Sequence, residues 1–412
     1  MAKTYDTYKD SGIAWIGEIP SEWEVGLIGK YFDEINNPNT NQEETNTLQF
    51  KMGEIISKKD GDSKYNPETI EAYNVVEPGT IMINGLNLSF DLVSQRVAQV
   101  HERGAITSTY LALSPVNGME SDYAKYLLKA YDNNKALHAM GRGLRATLSY
   151  GKFRTEPVLV PNSIEQHSIA SFLDTKCGEI DALISLQEEM ISELQAYKQS
   201  VITEAVTKGL NPNAKMKDSG VEWIGEIPEG WKVCRLKNNV SLINVTSTST
   251  NKIGLENIES GTGKFRQTSS EFEGNGIEFV ENDIVYGKLR PYLQKVWKAT
   301  FKGNAVGDFF VFRVNAVTDS DFVKYVFLSD GFTKEVVGST FGAKMPRVSS
   351  EFILTMNRAF PPLSEQQSIA TYLDEKTSQI DSLIALKQEK IQELKDYKKS
   401  IIYEYVTGKK RV

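Results

Sequence analysis

The chain has 412 residues, 40% of them hydrophobic, enough for two or three domains with real cores. Its formal net charge of −7 excludes a protein that coats nucleic acid indiscriminately, which would need many lysines and arginines against the phosphates, but leaves room for a local basic face. No apolar run reaches the roughly 18 to 20 residues of a membrane span. The first residues lack the apolar core of a signal peptide, and Cys177 and Cys234 stand in no metal or redox spacing, so the expected compartment is the cytoplasm.

The first distinct element runs from Lys9 to Trp23, KDSGIAWIGEIPSEW. It is written again from Lys217 to Trp231 as KDSGVEWIGEIPEGW, with eleven of fifteen positions identical. Between residues 24 and 164, β-like runs at Thr80–Ile83 and Tyr110–Leu113 alternate with a helical run at Asp122–Leu128. A basic stretch follows, with Arg142, Arg145, Lys152 and Arg154 against Glu156 alone between 141 and 160. From Glu165 a second repeated segment begins, sharing 24 of 45 positions with the stretch from Glu365; over 165–209 it carries eight acidic and three basic side chains.

That segment places Ile180, Leu183, Ile184, Ile191, Leu194, Val201 and Ala205 at helical spacing, matched by Ile380, Leu383, Ile384, Ile391, Leu394, Ile401 and Tyr405. Ser163 with Gln166, and Ser364 with Gln367, have capping-box spacing, while Gly209 and Gly408 mark the exits. A helix from about 178 to about 206 would be ~40 to 45 Å long, more than one small domain needs, and the apolar faces are expected to bury against each other.

The second variable stretch, 232–364, resembles the first in outline. Pro78–Asn87 parallels Glu281–Arg290, Asp122–Leu128 parallels Asp321–Phe327, and Ile284–Tyr286 and Phe309–Val314 read as strands. Each variable domain is therefore expected to be mixed α/β, one fold carrying two surfaces.

Motifs for catalysis resolve into turns and surface charge. Gly261-Thr-Gly-Lys-Phe265 lacks the earlier glycine of a phosphate loop and has Phe265 where Ser or Thr would ligate magnesium, so it reads as a turn. No Asp-Pro-Pro-Tyr or Asn-Pro-Pro-Tyr box of amino-methyltransferases occurs, and Asn37-Pro-Asn39 and Asn211-Pro-Asn213 read as turns. Asp174-Thr-Lys176 and Asp374-Glu-Lys376 have the acid–lysine spacing of a nuclease, yet they lie in the helical repeat and read as solvated helix faces. His101, His138 and His167 have no metal-ligand spacing.

In this order of domain, junction, long helix, domain, junction and long helix, the chain resembles the specificity subunit of Type I restriction-modification systems. The resemblance covers essentially the whole chain. It rests on the paired WIGEIP segments, the Glu-Gln-x-Ser-Ile-Ala-x-x-Leu-Asp starts at 165 and 365, and Lys288-Leu-Arg-Pro-Tyr-Leu293 with Lys344-Met-Pro-Arg347. The first domain departs from it, having Asn84-Gly-Leu-Asn87 where Lys-Leu-Arg would lie.

The resemblance implies an α+β protein: two α/β target-recognition domains in pseudo-twofold repeat, separated by two long antiparallel coiled-coil-like helices. The expected divisions are 1–163 for the first domain, 164–209 for the central spacer helix, 210–363 for the second domain and 364–412 for the C-terminal spacer helix. It implies a non-catalytic subunit in which each variable domain reads one half of a bipartite double-stranded DNA target. The helices would set the spacing and dock two methylation subunits, with two restriction subunits in the full complex. No cofactor or metal is expected in this chain; S-adenosylmethionine, ATP and magnesium would belong to the partners. Two other classes stay open: a fused or stand-alone nuclease/methyltransferase, against which the missing motifs count, and a helix-mediated scaffold without DNA binding, which would not need two differently decorated domains.

The candidate DNA contacts are Lys288, Arg290, Tyr292 and Lys295 in one loop-like run, and Lys344 and Arg347 after a glycine-containing turn. In the first domain they are Asn84, Asn87, Arg142, Arg145 and Lys152. The planar guanidinium suits both phosphate and the O6/N7 edge of guanine, whereas solubilising surface charge is the alternative for any single residue.

Overall fold

The computed structural model describes residues 4–58, 70–89, 91–93, 95–140, 147–248, 251–342 and 344–412. The chain folds into two units, one made of Met1–Gln187 with Glu389–Val412 and the other of Glu188–Gln388. Each long helix contributes to both: Ser163–Lys208 starts in the first unit and ends in the second, and Leu363–Val406 does the reverse. Among the described residues no helix is long and apolar enough to cross a membrane.

In the first unit the repeated opening motif forms a short hairpin, Tyr8–Asp10 against Glu18–Pro20. Glu24–Leu27 then pairs with the distant Pro157–Val160, closing the domain on itself. Inside this closure lies a four-stranded antiparallel sheet in the order Phe32–Glu34, Leu111–Pro115, Ile81–Ile83, Val97–Gln99. The apolar runs read from the sequence are its central strands. Ile81, Met82 and Ile83 are all fully buried, as expected of a strand covered on both faces.

The second unit repeats the plan. Met216–Asp218 pairs with Glu226–Pro228, Lys232–Arg235 with Asn357–Phe360, and the sheet order is Val240–Ile243, Phe309–Val314, Ile284–Gly287, Val296–Lys298. Both domains are mixed helix and strand, in agreement with the expected fold class. Beside the main sheet in the second lies a smaller one, Thr246–Ser247, Gly276–Phe279, Gly303–Ala305 and Lys252–Ile253, whose middle pair is matched in the first by Tyr73–Val76 with Gly104–Thr107.

The two long helices run antiparallel wherever they meet. In the first unit the Phe172 ring packs at a tilt against Tyr405 and Lys398 pairs with Asp181; in the second Lys198 pairs with Asp381. Ile180, Ile184, Leu394 and Ile401 join the first core, and Val201 joins the second. Ile380 and Ile391 are buried, while Ile191 and Ile384 are half-buried. Leu183 and Leu383 are not part of this seam: they are 47% and 48% exposed. The buried or half-buried positions 173, 177, 180, 184, 187, 191, 194, 198 and 201 alternate by four and three, and 183 falls outside that stripe.

The helices also start earlier than their seam suggested, at Ser163 and Leu363. Their early turns bury Ile169 and Leu173, and Ile369 and Leu373, in clusters shared by the domain and the end of the other helix. Neither expected capping box forms. Asn162 caps the first helix, its Oδ1 accepting from the Glu165 N–H. Gln166 is buried and instead accepts from the Glu120 N–H while donating to the carbonyls of Gly118 and Pro161. Gln366, and not Gln367, does the same toward Asp319, Val317 and Pro361.

Gly209 and Gly408 end the helices in the left-handed region, φ +73° and +70°. Each exit docks on an opening motif: a Cβ on Gly209 would lie 3.2 Å from the Trp231 ring, and one on Gly408 3.3 Å from the Trp23 ring.

Candidate nucleic-acid interface

In the second domain the loop after strand Ile284–Gly287 and the turn before Val348 are stitched together. Leu289 and Phe341 each bridge to Arg347, Arg290 N–H donates to the Pro346 carbonyl at 2.8 Å, and Val348 N–H donates to the Lys288 carbonyl at 3.2 Å. The structure thus brings Lys288, Arg290, Tyr292, Lys344 and Arg347 onto one framework.

Their electrostatic states differ. Arg347 places its fork on Asp308, Nε to Oδ1 at 3.3 Å and Nη2 to Oδ2 at 3.0 Å, and that hydrogen-bonded carboxylate raises its pKa further. Lys288 lies 3.8 Å from the same carboxylate and over the Phe310 ring. Lys295 is turned inward: its Nζ donates to the carbonyls of Leu255 and Ile258, both at 2.7 Å, and burial lowers its pKa. Arg290 and Lys344 are exposed and, among the described residues, form no ion pair; Tyr292 is 52% exposed. An arginine and a lysine without a carboxylate partner, beside an exposed aromatic ring, make a surface suited to phosphates and base edges.

In the first domain, Asn84 Oδ1 accepts from the Leu86 N–H, and Asn87 is exposed in the left-handed region at φ +52°. Lys152 is exposed on the short helix Tyr150–Phe153. Arg142 and Arg145 lie outside the described residues. Buried Arg96 closes this loop, its guanidinium donating to the carbonyls of Asn84, Leu86 and Asp91. It stands just before the returning strand, as Lys295 does in the second domain.

Sequence reasoning missed the exposed apolar groups here: Phe341 at 62% and Met345 at 47% on the second domain, Leu92 at 58% and Val93 at 92% on the first. Nothing in a single sequence distinguishes them from core residues. Such side chains can contact thymine methyls or wedge a base step.

The acid–lysine pairs have a structural duty that sequence did not reveal. Asp174 accepts from Lys125 Nζ and Tyr126 OH, both at 2.7 Å, and Asp374 accepts from Lys324 and Tyr325 at 3.0 and 2.6 Å. Each clamps a long helix to its domain, while Lys176 pairs with Glu179. Gly261 and Gly263 form a hairpin turn with positive φ, and Lys264 beyond it reaches Asp381 at 2.8 Å. Burial alone would raise the Asp381 carboxyl, but hydrogen bonds from Lys198 and Lys264 outweigh it and hold the pKa below the usual range. Among the described residues no group of three or more His, Cys, Asp or Glu side chains is placed to hold a metal.

No family model matches the chain. It is 25% identical to the Type I restriction enzyme MjaVIII specificity subunit of Methanocaldococcus jannaschii, across 96% of this chain and 94% of that one. A solved chain from work on complex assembly and conformational transition of the type I R-M system superposes with a TM-score of 0.70 at 13% identity, covering 95% of this chain and 99% of its own. The HsdS subunit from Thermoanaerobacter tengcongensis superposes at 0.50 with 14% identity, covering 95% and 98%. The order of elements, the doubled domain and the paired helices are thus held in common, and the chain is a relative of the specificity subunits of Type I restriction enzymes.

Proposed function

We propose that this chain is the sequence-specific DNA-recognition subunit of a Type I restriction-modification complex, non-catalytic in itself, working in the cytoplasm. One observation carries the reading: the same sheet order occurs twice, and equivalent loops are pinned alike but decorated differently. Each domain reads one half of a bipartite target, and the helices set the distance between halves. Residues 1–163 and 210–363 form the readers, and 164–209 and 364–412 the spacers. S-adenosylmethionine, ATP and magnesium belong to the partner subunits.

The exposed apolar residues of the helices support two equivalent docking sites. Leu183, Leu186 and Tyr397 are exposed in the first unit, and Leu383, Leu386 and Tyr197 in the second, one set written twice. Two methylation subunits dock there, and restriction subunits join that core. Replacing Leu183 and Leu186 by Asp is expected to remove one methylation subunit from the purified complex. Mass measurement showing both still bound would refute this placement.

The deciding experiment is to exchange residues 24–164 for another such domain, co-express the chain with its methylation subunits and map methylated adenines. Only one half of the split motif is expected to change, and the chain without partners should methylate nothing. A change in both halves, or no split motif, would overturn the reading.

A further inference from the structure

Two loops in different domains hold one side chain each in the same unusual way. In the first domain Asn84 N–H donates to the Arg96 carbonyl at 2.8 Å and Leu148 N–H to the Gly85 carbonyl at 2.9 Å. In the second, Gly287 N–H donates to the Lys295 carbonyl at 2.8 Å and Val348 N–H to the Lys288 carbonyl at 3.2 Å. These bonds put 84 and 85 in register with 287 and 288, and therefore Asn87 in register with Arg290.

Both registered residues are left-handed, φ +52° for Asn87 and +50° for Arg290. Asparagine tolerates that region, but arginine has no local reason to be there, and glycine would occupy it without strain. Strain held at matched positions points to a use for the side chain. Both side chains are exposed, and neither makes a hydrogen bond or ion pair within the described residues. Their neighbours are engaged: Asn84 with Leu86, Lys288 and Arg347 with Asp308, and Lys295 with two carbonyls.

We infer that Asn87 and Arg290 are the same base-reading position in the two domains, with Asn87 taking an adenine and Arg290 a guanine in the major groove. This rests on the DNA-reading role proposed above. The side chains supply the chemistry. The guanidinium fork donates twice to guanine O6 and N7, whereas the carboxamide donates to adenine N7 and accepts from N6. One backbone site thus reads two bases by exchange of a single residue.

The test is to make Arg290→Asn and, separately, Asn87→Arg, co-express each chain with its methylation subunits and map the methylated adenines. Arg290→Asn is expected to replace guanine by adenine at one position of the second half-site, leaving the first half intact, with discrimination shifted on the order of tenfold to a hundredfold. Asn87→Arg should do the converse in the first half. Arg290→Gly, which relieves the backbone and removes the side chain, should fold and relax that one position to any base. An unchanged motif in both swaps overturns the inference, as does a uniform fall at all sites, the mark of a phosphate contact. In either case a split motif from the unaltered complex leaves the DNA-reading role standing. If the unaltered complex gives no split motif, both fall.

Discussion

Cutting the chain after Gln388 is expected to unfold the first domain and spare the second, although the deletion lies in the second repeat. The first unit borrows its closing helix from the far end of the chain. Ile401, Ile402 and Val406, at 4%, 3% and 0% exposure, pack in one cluster with Trp23, Tyr123 and Leu173, and Tyr123 OH donates to the Val406 carbonyl. Fully burying each such aliphatic side chain is worth about 1.5 to 3 kcal/mol, so the three together contribute roughly 5 to 9 kcal/mol. That is comparable with the whole stability of an ordinary domain, about 5 to 15 kcal/mol. The second unit keeps Val201, Ile202 and Val206 against Ile369 and Leu373 after the cut. Hydrogen exchange should show protection lost across the strands Phe32–Glu34 to Leu111–Pro115 and kept across Ile284–Val314. Equal protection of both domains in the truncated chain would contradict this packing.

A matched insertion in both helices, after Glu188 and after Gln388, tests the spacer role. Four residues in each are expected to keep the complex assembled and lengthen the spacer between half-sites by one or two base pairs. The helix gains about 6 Å at ~1.5 Å per residue, and DNA rises ~3.4 Å per base pair. Four residues rotate the downstream part of each helix by only about 40°, whereas two rotate it by about 200° and would turn Leu194 and Leu394 out of the seam. Both helices must be lengthened because contacts hold them in register on either side: Asp181 meets Lys398, and Lys198 meets Asp381. The two-residue variant should therefore fail to assemble. An active four-residue variant with the original spacer would rule the helices out as the ruler.

The doubled domain was legible because the framework segments keep eleven of fifteen and 24 of 45 positions, and the central strands were legible because Ile81–Ile83 and Phe309–Phe312 are continuous apolar runs. What the sequence hid was the choice of partner. Helical period shows that Ile180 and Ile401 are buried, but not that both bury in the first domain. Hydrogen-bond duties were hidden for the same reason. Gln166, Asp174 and Asp374 read as a cap or solvated groups, and Gln367 reads as the cap in place of Gln366, because the true partners lie more than 40 residues away. The inward turn of Lys295 was equally invisible, since a lysine in a basic loop looks the same whether it meets a phosphate or two carbonyls. Arg290 and Asn87 were legible as candidates by their chemistry, while their shared backbone conformation appears only in three dimensions.

The two helix exits have one more consequence. Gly209 docks on Trp231 and leads directly into the second opening motif, while Gly408 docks on Trp23 with no covalent link between them nearby in the chain. Lys409 Nζ nonetheless donates to the Glu18 carbonyl, and Arg411 lies 5.4 Å from the centre of the Tyr5 ring. The two junctions are equivalent in packing. Each junction seals a domain by seating the end of a long helix on that domain's opening motif. A circular permutant joined by a short linker from Val412 to Thr4, and opened between Asn211 and Lys215, would retain both cores while exchanging which reader is made first.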